Sequence, residues 1–137
     1  MSAYDEGGTI RSKQLELLNR TMKNEYDKGN YVIVGGDFNH ALNIPSDTFD
    51  SEQKVPEWVY NLSDYNLADG MSIVNADNNT EVPTCRSSDI PYTKGANYTS
   101  VLDGFVISDN IVATAKNIDA DFMYSDHNPV KLMFKLK

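Results

Sequence analysis

The feature that most narrows the fold is the run Tyr31-Val32-Ile33-Val34, apolar throughout, rich in β-branched side chains and closed by Gly35 and Gly36. Too short for a helix and without polar alternation, such a run reads as a strand buried on both faces. Just upstream, residues 11–28 place Leu15, Leu18, Met22 and Tyr26 three or four apart among charged residues, and Gly29 follows as a natural stop. This is an amphipathic helix, with Thr9 or Ser12 placed to cap its start through a side-chain oxygen. Helix, tight turn and central strand in succession point to an α/β layer.

Pro56 suits the first turn of a second helix, on which Trp58, Leu62 and Tyr65 share a face. Residues 71–74, 101–108 and 111–118 read as strands. The final segment, 130–137, alternates large apolar with mostly polar residues, Met133 excepted, as a strand with one wet face does. Residues 75–97 are rich in Asn, Asp, Ser, Thr and Pro, so long loops are expected there, above the sheet where substrates are commonly met. No internal repeat, low-complexity tract or linker divides the chain. At 137 residues it is a single domain, 1–137, able to bury roughly two thirds of the surface its unfolded form exposes.

The net charge of −8 disfavours a broad basic footprint on nucleic acid, although a divalent cation offsets acidic residues locally and lets a phosphate approach. Cys85 is the sole cysteine, which excludes an internal disulfide and a cysteine metal cluster and leaves it as a small packing residue. No stretch reaches the length of a membrane span and no targeting segment is visible, so the compartment is undecided.

Three constellations carry chemistry. In Gly35-Gly36-Asp37-Phe38-Asn39, the carboxylate and carboxamide lie two apart at a strand end and so share a side. Asp37 can hold Mg²⁺ or Mn²⁺ or polarise a water, and Asn39 can donate to a phosphoryl oxygen; equally, the pair can be a turn that satisfies its own backbone. In Ser125-Asp126-His127-Asn128-Pro129-Val130, Asp126 suits a hard cation, and His127 can steady a phosphoryl charge or pass a proton, against a purely structural reading. His40, directly after Asn39, has a weaker claim of the same kind. In Val101-Leu102-Asp103-Gly104-Phe105, a carboxylate among apolar residues needs a partner. His127 would be that partner, oriented by Asp103; the alternative is a β-turn with Gly104.

Taken in order, Gly-Asp-Phe-Asn, Leu-Asp-Gly-Phe followed by Val106-Ile107-Ser108, and Ser-Asp-His-Asn-Pro-Val resemble the C-terminal half of the endonuclease/exonuclease/phosphatase superfamily, with its DNase I-like fold. The resemblance implies half of a four-layer α/β sandwich: an α/β (α+β) unit with one mostly antiparallel mixed sheet and helices on one face. It implies a Mg²⁺- or Mn²⁺-dependent phosphodiesterase or phosphatase. Asp37 would activate or position water near the metal, Asn39 would bind the phosphoryl group, Asp103 would orient His127, and Asp126 would lie beside or on the metal. Asn97, in the polar loop, is taken as a further substrate contact.

The opening Met1-Ser2-Ala3-Tyr4-Asp5 is similar to the residues that follow an Asn-x-His strand in these enzymes. That strand, and the half bearing the principal metal-binding glutamate, are not in this sequence, so the chain is expected to supply the C-terminal half of a site and to be inactive alone. The alternative is a non-catalytic remnant or partner-binding fragment. A sheet face left uncovered would favour self-association. For substrate, the acidic balance and Tyr92 and Tyr98, near Arg86 and Lys94, fit a phosphorylated small molecule or lipid head group somewhat better than nucleic acid. Arg86 and Lys94 are read as solvated charges rather than phosphate ligands, and Trp58 and Tyr65 as core rather than a base-stacking platform.

Overall fold

Helix α1 spans Thr9–Asp27 and turns Leu15, Met22 and the whole of Arg11 inward. In the computed structural model, which describes every residue of the chain except Ala3, Tyr4, Glu6 and Trp58, this helix starts at Gly8 with a left-handed φ of 70° and no side-chain cap from that residue. Neither Thr9 nor Ser12 caps it. Asp5 Oδ2 instead accepts the Arg11 backbone N–H at 2.7 Å, so a first-turn donor is satisfied from upstream of the helix. Gly29 ends the helix as expected: at φ 83° its N–H reaches the Tyr26 carbonyl at 2.8 Å.

Among the described residues seven strands follow: β1 (Ile33–Asp37), β2 (Met71–Val74), β3 (Cys85–Arg86), β4 (Thr99–Ser100), β5 (Asp103–Ser108), β6 (Ile111–Asn117) and β7 (Val130–Leu136). They form three antiparallel groups, β1-β5-β2, β3-β4 and β6-β7. A parallel bridge between Ala76 and Ala115 links the chain just beyond β2 to β6, and an antiparallel bridge between Cys85 and His127 ties β3 to the approach to β7. The α/β (α+β) class stands, with one long helix and antiparallel pairing. The strands are, however, divided among three sheets rather than gathered in one mixed sheet.

The central strand is β5, not β1. Val32 is buried, but Tyr31 and Ile33 are 47% and 37% exposed, which corrects the expectation of a strand covered on both faces. The reason is position: β1 lies at the sheet edge, and only the side bearing Val32 and Val34 joins Leu15, Met22, Val106, Met71 and Ile73 in the core. Gly35 has a packing role. Its cross-strand partner is Phe105, and a Cβ there would stand 2.6 Å from the Phe105 ring.

Among the described residues the second helix is not formed. Residues 62–64 make only a short 3₁₀ turn, Leu62–Asp64, whose Asn61 side chain accepts from Ser63 N. The backbone here is used elsewhere, because Ala41 N donates to Tyr60 O and Leu62 N to Ala41 O, both at 2.8 Å. Leu62 and Tyr65 do join the core, while Trp58 lies outside the described residues. Residues 75–97 are largely loop, interrupted by β3. Ile33, Met133, Phe134 and Leu136 leave exposed apolar surface on β1 and β7.

Candidate active site

The antiparallel register of β1 and β5 sets Asp37 directly opposite Asp103, so two carboxylates meet at one sheet end. Chain segments from the polar loop hold them there. Thr84, fully buried, accepts the backbone N–H groups of both Leu102 and Asp103 at 3.0 Å through its hydroxyl, and its own carbonyl accepts from Asn128 N at 2.7 Å. One residue thus pins the start of β5 to the turn that precedes β7. Asn128 fixes that turn further, its Oδ1 taking the Ala120 and Phe122 N–H groups and its Nδ2 donating to Pro83 O.

His127 is consequently delivered to Asp103, with Nδ1 2.8 Å from Oδ2. The Asp103 carboxylate is the first cause of a His127 pKa raised to about 11, a contact with Cys85 adds to it, and partial burial opposes both. The imidazole is therefore held as a cation through neutral pH. Its Nε2 lies 3.6 Å from Cys85 Sγ. Burial pushes the Cys85 thiol up, against the influence of the His127 contact.

Asp37 and Asn39 are joined by a local turn as well as aimed at the site. Asn39 lies past the end of β1 with φ 48°, its backbone N–H donates to Asp37 Oδ1 at 2.7 Å, and its Nδ2 donates to Asp37 Oδ2 at 2.9 Å and to Met1 O at 2.6 Å. The side chains converge because of this left-handed residue, not because two strand residues share a side. Burial is the main reason Asp37 titrates above the usual aspartate range, and the Asp103 charge adds to it, while the Asn39 N–H works the other way. Behind the pair, buried Arg11 donates to Asn39 O at 3.2 Å and to Asp5 O at 3.3 Å.

Asp37, Asn39, Asp126 and His127 line one cleft of about 1000 Å³, which also takes in Lys54 and Arg86. Asp103 stands behind His127. Asn97 is not brought into this group. It is 1% exposed and fully used within its own loop, donating to Ser87 and Ile90 carbonyls and accepting from Thr93 N at 2.8 Å. His40 is likewise internal: Nδ1 is 2.7 Å from Phe38 O and the ring meets Tyr65 edge-on at 5.0 Å. Lys94 is exposed and stands apart from the cleft, whereas Arg86 is part of its wall, with its guanidinium 5.8 Å above the Tyr92 ring.

Sequence reasoning missed Thr84, Arg11 and the placement of Cys85. A Pro-Thr pair in a loop and an arginine in the first helical turn are unremarkable in sequence, and no pattern marks them. As to a metal, no three His, Cys, Asp or Glu side chains converge as a closed centre among the described residues. Asp37 and Asp126 nonetheless offer hard oxygen donors on the same cleft, and Mg²⁺ accepts one or two carboxylates with water and phosphate completing its shell.

The match of residues 1–131 to a family model makes the chain, with its Asp–His pair beside an Asp–Asn turn, a phosphoester-hydrolase-type domain of the endonuclease/exonuclease/phosphatase superfamily. Within that superfamily the chain belongs to the endonuclease-reverse transcriptase family, which it matches over residues 1–131. Comparison with curated proteins and with solved structures gives no significant match.

Proposed function

We propose that this protein is a Mg²⁺- or Mn²⁺-dependent phosphodiesterase that hydrolyses nucleic acid by in-line attack of water, and that the chain supplies half of the active site. The observation that carries the reading is the Asp103–His127 pair at 2.8 Å on the same sheet end as Asp37 and Asn39. Nucleic acid is taken ahead of a small phosphorylated molecule or lipid head group because the family is described as an endonuclease. A hard cation held by Asp37 and Asp126, with water and phosphate oxygens completing its shell, would polarise the phosphoryl group.

The chain's own residues then divide the work. His127, cationic and held by Asp103, donates from Nε2 to a phosphoryl oxygen as negative charge develops, once that nitrogen turns from Cys85 to substrate. Asp37, fixed by Asn39, would position the attacking water beside the cation. Asn39 holds Asp37 in place and presents its carboxamide at the cleft.

The test is cleavage of a labelled single-stranded oligonucleotide with Mg²⁺ or Mn²⁺, by the chain alone and mixed with a family polypeptide bearing the superfamily's metal-binding glutamate. Cleavage in the mixture, abolished by His127→Ala, is expected. Cleavage that survives both His127→Ala and Asp37→Ala would refute the assignment. A second reading, a non-catalytic binding fragment, is favoured by the way Cys85 occupies His127 Nε2; it predicts no cleavage in the mixture and no saturable Mn²⁺ binding by calorimetry.

A further inference from the structure

The loop between β6 and β7 carries two consecutive residues with left-handed backbone, Asp121 at φ 52° and Phe122 at φ 49°. Aspartate tolerates that region, whereas a bulky aromatic rarely enters it. Here the surroundings impose it. Asp119 Oδ1 accepts the Asp121 N–H at 2.9 Å, Asn128 Oδ1 accepts from Ala120 and Phe122, and the buried Phe122 ring meets Tyr92 edge-on at 5.0 Å. With Phe122 anchored, the next two side chains project outward: Met123 is 66% and Tyr124 92% exposed. Strain held in this way is characteristic of functional sites. Tyr124 also stands at the rim of the cleft. Two peptide units separate it from Asp126, so their Cα atoms are at most about 8 Å apart, and Asp126 and His127 line the cleft. One side chain fixes the rim and the histidine together, because Asn128, which pins the Phe122 turn, directly follows His127.

We propose that Tyr124 stacks on one unpaired nucleobase of the substrate strand, beside the phosphate that meets His127, and so directs the site to single-stranded or locally opened nucleic acid. The inference rests on the nucleic-acid reading above and names which form of the strand the site takes. In a duplex both faces of a base are covered by its neighbours, and a ring standing outside the helix cannot reach them. A single strand offers a free face, and stacking on an aromatic side chain tolerates any base. A tyrosine side chain on the rim spans the sugar that separates a phosphate from its base. Asp119, Asp121 and Asp126 share the loop with the exposed pair and make an anionic membrane surface an unfavourable partner for it.

The experiment titrates the full chain, with Mg²⁺, with hexathymidylate and with a hexamer of the same sugar–phosphate backbone that carries no bases. Affinity is read by fluorescence anisotropy and the Tyr124 ring signals by NMR. The base-bearing strand is expected to bind more tightly and to be the one that moves the Tyr124 signals upfield. Tyr124→Ala should lose about tenfold or more in affinity for hexathymidylate, Tyr124→Trp should retain it, and the strand without bases should bind all three proteins equally. Equal binding of hexathymidylate by the parent chain and Tyr124→Ala overturns the inference, as does a Tyr124 ring unmoved by either strand or an absence of binding altogether. So does binding to phosphatidylcholine vesicles that Tyr124→Ala abolishes while strand binding stays unchanged. Stacking without cleavage by the complemented protein upholds this inference and defeats the hydrolase reading; cleavage with the Tyr124 ring unmoved does the reverse.

Discussion

At the scale of single residues, environment assigns different tasks to chemically similar groups. Asp103 and Asp37 face each other across β5 and β1, yet Asp103 is bound to a cationic imidazole while Asp37 is held by Asn39 and partly desolvated. Asp103→Asn should therefore lower cleavage by about 10²-fold or more while leaving the fold intact, because the imidazole loses its orienting charge; kinetics of the complemented protein and circular dichroism check the two parts. Linkage gives the sign of the pair's effect on stability. His127 has its pKa raised on folding, so its contribution is complete below the unfolded value of about 6.5 and is lost as pH rises through about 11. His40 works the opposite way. Burial lowers its pKa, and Nε2 has no partner at hydrogen-bond distance, so the unfolded chain takes up a proton near pH 6.5 that the folded chain resists. Stability should then decline as pH falls below about 6.5, and His40→Leu should flatten that decline in thermal melts between about pH 7 and pH 5.

At the scale of elements, the positions that matter most are those where backbone and side chain share one task. The Phe105 ring lies against Gly35 across the β1–β5 pair, and a methyl group placed 2.6 Å from it cannot be accommodated without displacing it. Gly35→Ala should cost about 1–3 kcal/mol in urea unfolding and should disturb Asp37, two residues along the same strand. Asn61 caps the 3₁₀ turn through Ser63 N and also donates to Ile44 O at 3.0 Å. Asn61→Ala should cost on the order of 1 kcal/mol, read by the same measurement. The periodicity around α1 was legible because it is a local pattern of burial; β7 forms as a strand, but Phe134 and Leu136 stay exposed, so its alternation does not mark one wet and one covered face. The second helix expected after Pro56 failed because backbone groups at Tyr60 and Leu62 pair with Ala41, a partner some twenty residues away that no local pattern reveals.

At the scale of the whole molecule, the arrangement leaves apolar side chains in water. Ile33, Met133, Phe134 and Leu136 are each more than a third exposed on β1 and β7. Surface of this kind favours association, so sedimentation velocity should show mass rising with concentration, and Phe134→Ser should weaken the trend. A monomer at every concentration would argue against it.

The ordered motifs alone were sufficient to identify the superfamily and to nominate Asp37, Asn39, Asp103, Asp126 and His127, since the chemistry of those side chains and their strand-end context are local properties. Tertiary structure decided the rest. It joined Asp103 to His127 through Thr84 and Asn128, made β5 rather than β1 the centre of the sheet, turned Asn97 and His40 inward, and set Cys85 against the imidazole. Each of these depends on hydrogen bonds or contacts between residues far apart in the chain. A residue's type and immediate neighbours record what it can do, and only the packed chain determines which distant group it meets.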